Sequence, residues 1–432
     1  MPSRREFLGT SAAVLGTAAI SQRAAAQPSA QQAQAPVLPP AIAALSSMKD
    51  QMVPITNEER KARIEKARVL MGRQGLGAIV IAGGTTLRYF ADVSWWLSER
   101  FFGLVIPREG NAFVVCPAFE RDRAEEQLKK GPLGGSTDIM TWHEHESPHA
   151  LVAGGLRARG AATAAIGIEE TMWWAYSDGI AAALPGATLK SAKPVTAGCR
   201  GVKSPAEIAL MRLASQVTWK AYKAAYESIR EGMTQDDFAR LVSQAHDRLG
   251  FSGGAGVQVG EYSALPHGSI SPQVIREGTI LLIDGGCNIG GYSSDLSRTF
   301  VLGKATDRMK QVFEIVHRAQ TTAVRTARPG LECQAVDAAA RKVISDAGFG
   351  PDYKYFTHRV GHGIGMDGHE WPYLVKGNTT LLEPGMTFSD EPGIYIPGEF
   401  GVRLEDDMLI TPDGAELLSL QSPSLETPFA TA

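Results

Sequence analysis

The chain has 432 residues, of which 44% are hydrophobic and 21% charged, a composition typical of a globular protein with a substantial core. The formal net charge is −3 and no basic block is present, so the sequence gives no support for nucleic-acid binding. No apolar run reaches the roughly 18–20 residues of a membrane-spanning helix, and the length predicts about two to three domains.

The N-terminus has the features of an export signal. Residues 3–8 (SRREFL) contain a pair of arginines, residues 10–20 supply a short apolar core, and residues 24–26 (AAA) offer a cleavage site before Gln27. We therefore predict a twin-arginine signal peptide over residues 1–26 and a periplasmic product. Residues 27–53 are rich in Gln, Ala and Pro, which predicts a flexible linker.

Residues 54–197 alternate between short apolar runs and helical stretches. Thr56 and Glu59 have the spacing of a capping box, which predicts that a helix begins there and ends near Gly75. The apolar runs predict strands over 78–81, 103–106, 113–116 and 165–168, with helices over 119–130 and 173–184 among them. This alternation is typical of an α/β domain.

Residues 198–425 predict a second unit of α+β type. Ser204, Pro205 and Glu207 form another capping box with proline at the first helical position, so a helix is expected from there to about residue 230. A second helix is expected after Thr234, and two more over about 306–328 and 334–347.

The most informative stretch is residues 280–301, in which two apolar runs flank the turn sequence NIGG. The pattern predicts a β-hairpin, and a fold about the middle of that turn places Asp284 opposite Asp295. Opposite residues of an antiparallel pair have Cβ atoms roughly 4.5–5.5 Å apart. Two buried carboxylates at that separation require a shared proton or a shared cation, and we favour the cation.

A second hairpin is predicted over residues 391–406. Glu391 and Glu405 are equidistant from Gly398, and Arg403 shares a strand face with Glu405. Between the two hairpins, His362 stands among glycines. Four carboxylates and one imidazole are an oxygen-rich ligand set that suits one or two divalent ions such as Mn²⁺, Mg²⁺, Co²⁺ or Zn²⁺.

These residues, in this order, resemble the five-ligand signature of the pita-bread metallopeptidases. The segments EPGIY and GVRLED around Glu391 and Glu405 match, and the preceding α/β domain is similar to that of the aminopeptidase P/prolidase branch. The resemblance implies an α+β protein with a C-terminal pita-bread (creatinase/aminopeptidase) catalytic domain and a smaller creatinase-like N-terminal domain.

The resemblance also implies roles for individual residues. The implied metal ligands are Asp284, Asp295, His362, Glu391 and Glu405, with Asp295 and Glu405 bridging two divalent ions, for which we expect Mn²⁺, or Co²⁺ or Zn²⁺ in its place. The implied catalytic residues are His267, His369, Glu391 as the base for water, and Arg403. The implied reaction is hydrolysis of Xaa-Pro bonds by metal-activated water, on a peptide or dipeptide with proline in the second position.

The sequence leaves several alternatives open. Asp390 stands where the family usually has an aliphatic residue, and alternation favours a supporting or surface role over an extra ligand. Cys287 is expected to be a small buried residue, and the histidine-rich stretch 143–149 a solvated loop. A metal-dependent lyase or hydrolase of a small molecule, or a non-catalytic binding module, could use the same fold. We further expect a homodimer or higher homo-oligomer.

Overall fold

The N-terminal half is built around a six-stranded mixed sheet. The structure, a computed structural model, describes residues 38–430, so the predicted signal peptide lies outside the described residues. The strands are β1 Leu76–Ala82, β2 Gly103–Pro107, β3 Phe113–Pro117, β4 Asp138–Trp142, β5 Ala165–Ile168 and β6 Leu189–Ser191, and their order in the sheet is β4-β3-β2-β1-β5-β6. The four predicted strands are confirmed. They are the fully or mostly buried ones, whereas the missed β4 and β6 are the partly exposed edges.

Helices cover both faces of this sheet, because the apolar residues of β1 contribute to a hydrophobic core on each side. The helices of this half are α2 Asn57–Gln74, α3 Thr85–Ala91, α4 Arg121–Lys130, α5 Pro148–Ala158, α6 Trp174–Ala183 and α7 Lys193–Gly201. Helix α2 begins at the predicted capping box, in which Thr56 and Glu59 satisfy each other's backbone amides. It ends at Gly75, whose φ of 65° is the left-handed conformation that glycine adopts without strain.

The C-terminal half contains three strand groups with helices packed outside them. The strands are β7 Gly253–Val259, β8 Ile280–Ile289, β9 Tyr292–Ser293, β10 Leu296–Val301, β11 Gly361–Gly363, β12 Glu370–Leu374, β13 Thr387–Asp390, β14 Gly393–Ile396, β15 Phe400–Arg403, β16 Asp406–Ile410 and β17 Ala415–Leu417. The order β10-β8-β7, with β9 on β8, forms one sheet, β12-β11-β13-β16-β17 forms another, and β14 and β15 form a hairpin. The helices, close to the four predicted ones, are α8 Pro205–Tyr226, α9 Gln235–Leu249, α10 Asp307–Thr326 and α11 Cys333–Asp346.

The segment preceding α2 is ordered against the C-terminal half. Helix α1, Pro40–Ala43, contacts α8 and α9, and Ile42 has no exposed surface. The Met48 amide donates a hydrogen bond of 2.9 Å to the Leu249 carbonyl. The prediction of a flexible linker over residues 27–53 is therefore wrong for its described part, residues 38–53. Apolar residues there, such as Ile42, pack against α8 and α9, and the composition of the segment does not reveal this contact.

The register of the first hairpin differs from the prediction. Asp284 is paired with Ser297, and Asp295 lies in the break between β9 and β10. The turn is formed by Gly290 and Gly291 alone, both with positive φ (61° and 97°), which is typical of a two-residue type I′ turn. This choice moves the centre of the hairpin by one residue, so the predicted opposition of Asp284 and Asp295 is wrong.

The register of the second hairpin is confirmed. Gly393 pairs with Arg403 in the β14–β15 hairpin, and Asp390 pairs with Asp406 in the adjoining β13–β16 ladder, so both ladders are centred on Gly398. Glu391 and Glu405 occupy the interruption between the two ladders. Residues at such a break are free of ladder geometry, which allows both side chains to turn to the same side.

No helix among the described residues combines the length and the apolar character that crossing a bilayer requires.

Candidate metal centre

Five acidic and imidazole side chains converge in a cleft of about 120 Å³ in the C-terminal half. Asp284 comes from the middle of β8 and His362 from β11, while the other three lie at ends or breaks of strands. The cleft is lined by all five predicted ligands, Asp284, Asp295, His362, Glu391 and Glu405. Residues from both predicted hairpins thus meet at one point.

The ligand atoms form overlapping groups. Oxygens of Asp284, Asp295 and Glu405 lie within 4.8 Å of one another, and so do the ligand atoms of His362, Glu391 and Glu405. Glu405 belongs to both groups and therefore lies between them. Two groups that share a carboxylate provide the arrangement that a pair of adjacent cations requires.

His362 is held in the tautomer suited to metal binding. Its Nδ1 lies 3.1 Å from the carbonyl oxygen of Gly363, and because a carbonyl can only accept, Nδ1 carries the proton. Nε2 is left with its lone pair, 3.4 Å from Glu391 and 3.9 Å from Asp295. Burial, together with the neighbouring His369, lowers the pKa of His362 to about 3, so the ring is neutral at physiological pH.

Three carboxylates of the cleft, Asp295, Glu391 and Glu405, have raised pKa values. Burial, followed by the charge of Asp284, raises the pKa of Asp295 well above its usual value. Burial and the charge of Asp295 do the same to the pKa of Glu405. Burial raises the pKa of Glu391 to about 7, although Arg403 opposes the shift. Like charges crowded into a desolvated cleft are stabilised by protons or by metal ions.

Ser297 and Arg403 hold the acidic cluster together. The Ser297 hydroxyl lies 2.8 Å from Asp284 and 2.6 Å from Glu405, so it links two of the predicted ligands. Arg403 forms its short ion pair, 2.7 Å, with Asp284, whereas its distance to Glu405 is 4.0 Å. Its Nε donates to Ser297 at 2.8 Å. Ser297 was not predicted, although its position two residues after Asp295 was a signal in the alternation of the strand.

The two predicted catalytic histidines lie at the mouth of the cleft. His267 and His369 are exposed residues that line it. The ring of His369 stacks on that of His362 with centroids 3.6 Å apart, and its Nδ1 is 3.4 Å from a guanidinium nitrogen of Arg359. Both imidazoles can therefore reach a substrate that enters from solvent.

Three further side chains of the cleft region were missed by sequence reasoning. His358 lines the cleft and its Nε2 is 2.7 Å from the hydroxyl of Tyr395, which also accepts a bond of 3.0 Å from Arg403. Burial lowers the pKa of His358 to about 4. Arg359 also lines the cleft, with its guanidinium 4.2 Å from the ring centroid of Tyr373. His358 and Arg359 lie in an irregular segment, where no strand periodicity indicates direction.

Asp390 lies outside the cleft and is completely buried. Among the described residues, neither of its carboxylate oxygens has a hydrogen-bond partner. Burial, followed by the charge of Asp406, raises the pKa of Asp390 well above its usual value. The surface role that the sequence left open is therefore wrong, because β13 is covered on this side by the packing of α10.

The remaining candidates from the sequence stand apart from the cleft. Cys287 is buried, with its thiol 3.5 Å from both Thr218 and the Ala214 carbonyl, and all four cysteines are free. Residues 143–146 form an exposed turn, and of the residues described none from 143–149 belongs to a potential metal-binding group.

Comparisons with known proteins agree with this architecture. A family model described as metallopeptidase family M24 matches residues 209–412, and one described as the creatinase/prolidase N-terminal domain matches residues 63–202. The chain is 32% identical over 372 residues to an Xaa-Pro dipeptidase of Lactobacillus delbrueckii subsp. lactis, covering 84% of this chain and 98% of that protein.

Two mycobacterial proteins are also similar. The chain is 36% identical over 356 residues to a probable dipeptidase PepE of Mycobacterium tuberculosis, covering 82% of this chain and 92% of that protein. The crystal structure of dipeptidase PepE from Mycobacterium ulcerans matches with a TM-score of 0.81 and 32% identity, covering 87% of this chain and all of that one (100%).

Proposed function

Because the chain belongs to metallopeptidase family M24, with a creatinase/prolidase N-terminal domain, we propose that it is a hydrolase of Xaa-Pro bonds that uses two divalent metal ions. The observation that carries the proposal is the convergence of all five predicted ligands in one cleft. The names of the similar proteins, an Xaa-Pro dipeptidase and dipeptidases PepE, support the substrate class.

The donor set fits a pair of hard divalent cations. Carboxylate oxygens with a single neutral imidazole suit Mn²⁺, Co²⁺ or Zn²⁺, and of these we propose Mn²⁺. Asp284 would hold one ion and His362 with Glu391 the other, and Asp295 and Glu405 would be shared between the two ions. The raised pKa values of Asp295 and Glu405 support this assignment, because a cation would replace the protons that these buried groups otherwise take up.

Different side chains of the cleft have different roles in the proposed hydrolysis. Bound divalent ions would supply Lewis acidity that brings the pKa of water toward neutrality. The carboxylate of Glu391 receives the proton of the attacking water. His267 and His369, at the mouth, donate hydrogen bonds to the oxygen or nitrogen of the scissile amide as charge develops there.

Arg359 favours a dipeptide over a longer peptide as substrate. Its guanidinium lines the cleft beside His369 and forms no ion pair with any carboxylate of the described residues. The other arginine of the cleft, Arg403, is already paired with Asp284. A free guanidinium at the mouth is suited to the C-terminal carboxylate of a dipeptide, because planar charge-assisted bonds to carboxylate are strong and directional. We therefore place the enzyme among Xaa-Pro dipeptidases.

Turnover by the metal-loaded protein tests the proposal. Ala-Pro, Ala-Pro amide, a longer Xaa-Pro peptide and its N-blocked form are compared, with metal content measured in the same samples. We expect the dipeptide to be cleaved best and the amide poorly. Cleavage of longer peptides with a free amine would instead indicate an aminopeptidase, and cleavage of none by protein carrying two ions would refute the peptidase assignment.

Arg359 offers a sharper comparison. Arg359→Met should raise the KM for Ala-Pro by roughly 10-fold or more and leave the slow cleavage of Ala-Pro amide nearly unchanged. Arg359→Lys keeps the charge without the planar guanidinium, so its KM for Ala-Pro should lie between those of the wild type and Arg359→Met. Equal loss on both substrates would assign Arg359 to the structure of the cleft and not to the carboxylate.

We also propose export through the twin-arginine signal and assembly as a homodimer or higher homo-oligomer. Residues 3–8 support the first proposal. Fractionation should find a periplasmic protein beginning at Gln27, and replacing Arg4 and Arg5 by lysine should retain the precursor in the cytoplasm. Light scattering of the mature protein should give at least twice the mass of one chain, and a single-chain mass would contradict the oligomer.

A further inference from the structure

A group of four charged side chains, three of them buried, joins the N-terminal half to the segment that carries His369. We call Arg200, Lys203, Asp367 and Glu370 the inter-domain ion cluster. Arg200 lies in α7 and Lys203 in the connection to α8, whereas Asp367 and Glu370 flank His369 on the two sides. None of the four lines the metal cleft.

The contacts of the cluster are short. One terminal nitrogen of Arg200 contacts the carboxylates of both Asp367 and Glu370, and Lys203 Nζ lies 2.7 Å from the other oxygen of Glu370. Asp367 additionally accepts a hydrogen bond from the hydroxyl of Thr85, at the start of α3. Two elements of the N-terminal half therefore hold the backbone on either side of His369.

Three members of the cluster are shielded from solvent. Arg200, Lys203 and Glu370 are 9%, 5% and 8% exposed, so each charge depends on its partners for stabilisation. A Cβ atom added at Gly365 would lie 2.4 Å from the Glu370 carboxylate and 2.9 Å from Lys203 Cε. The ion pair of Lys203 and Glu370 therefore leaves no room for a side chain at Gly365.

The His369 ring itself has few anchors. It is exposed, stacks on His362 and has one contact of 3.4 Å with Arg359. Its location over the cleft therefore depends on where the backbone of residues 367–370 is held. Glu370 is held there by its pairing with Gly363 in the β11–β12 ladder, and both Asp367 and Glu370 are tied to Arg200 or Lys203.

We propose that Arg200 and Lys203 are positioning residues for His369, so that the connection between the two halves fixes the geometry of the catalytic cleft. The inference rests on the proposed function only in naming His369 as a group that contacts substrate. A displacement of about 1 Å in such a group can cost on the order of 100-fold in rate. The N-terminal half then contributes to catalysis without supplying a residue to the cleft.

The first test is spectroscopic and needs no substrate. The Zn²⁺-loaded full chain is labelled with ¹⁵N-histidine, and the His369 ring signal is identified among nine histidines by its absence in His369→Ala. Arg200→Met and Asp367→Asn should shift or broaden that signal. The matched control is Arg212→Met, which removes an arginine paired on the surface with Glu416. An unchanged His369 signal in folded Arg200→Met would overturn the proposal.

The second test is a double-mutant cycle with Ala-Pro. Arg200→Met should lower kcat roughly 10- to 100-fold with metal content unchanged, and Arg200→Lys should recover part of the loss. In the His369→Ala background the same replacement should cost less than about 2-fold, since the group that it positions is gone. Independent, multiplicative losses would assign Arg200 a purely structural role and refute the proposal.

Two features keep the tests decisive. If Arg200→Met does not fold, Asp367→Asn and Thr85→Val, which remove contacts around the partly exposed Asp367, take its place in both experiments. If the wild-type protein cleaves no Xaa-Pro bond, the proposed function fails, but the ring signals still show whether Arg200 positions His369.

Discussion

The metal-free protein should become less stable as the pH rises. Burial raises the pKa of Glu391 from 4.5 to about 7 in the folded chain, and the pKa values of Asp295 and Glu405 are raised as well. A folded state with a raised carboxyl pKa binds more protons than the unfolded state. The contribution of the protonated Glu391 carboxyl to the free energy of unfolding is fully present below about pH 4.5 and is lost as the pH rises through about 7.

The size of the effect follows from Glu391 alone. The change in its pKa corresponds to about 3 kcal/mol of unfolding free energy. For a chain of this length, an unfolding entropy of about 2 cal/mol/K per residue converts that value into a fall of about 4 °C in Tm. The raised pKa values of Asp295 and Glu405 act in the same direction and increase the fall in Tm.

Thermal unfolding between pH 4.5 and 8 measures the effect, with chelator-treated protein beside metal-loaded protein. In the loaded protein the cations take the place of the protons, so the stabilisation by metal should grow with pH. Glu391→Gln, which cannot titrate, should flatten the profile of the metal-free protein. Parallel pH profiles with and without metal would refute the assignment of these carboxylates to a cation site.

Three further predictions concern single side chains. His362→Ala should lower the bound metal from two ions to one and abolish nearly all activity; unchanged stoichiometry by elemental analysis would refute its assignment as a ligand. Ser297→Ala should weaken metal binding roughly 10- to 100-fold in a chelator competition, because it links two carboxylates of the cleft; unaltered affinity would contradict that role. Arg298→Met should lower the free energy of unfolding by denaturant by roughly 3–5 kcal/mol, because it removes the cationic partner of the fully buried Asp406. Arg212→Met, which removes an ion pair at the surface, should lower it by less than about 1 kcal/mol, and equal losses would contradict the argument from burial.

The two hairpins show how far local sequence determines strand register. Gly398 alone has the chemistry for the second turn, and the register centred on it places Glu391 and Glu405 as predicted. In the first hairpin NIGG admits two centres that differ by one residue. The pair Gly290-Gly291 prevails because a two-residue turn with positive φ at both positions matches the twist of the strands.

The acidic residues of the candidate metal centre could be predicted because their chemistry is unusual for their surroundings. Aspartates and glutamates within apolar strands are costly unless something binds them, and this holds wherever the strands lie in space. Ser297, His358 and Arg359 carry no such signal. Their roles arise from contacts with residues far away in the chain, such as the bond of Ser297 to Glu405.

The sequence by itself determined the class of the fold, the order of most buried elements and the identity of the metal-site candidates, because burial periodicity, capping residues and out-of-place charges are local properties. Tertiary structure alone decided which atoms meet. It packed the expected linker against α8 and α9, buried Asp390, turned Asp295 out of the ladder toward the cleft and joined Arg200 to the segment around His369. These outcomes depend on the close packing of elements distant in the chain, which local periodicity does not record.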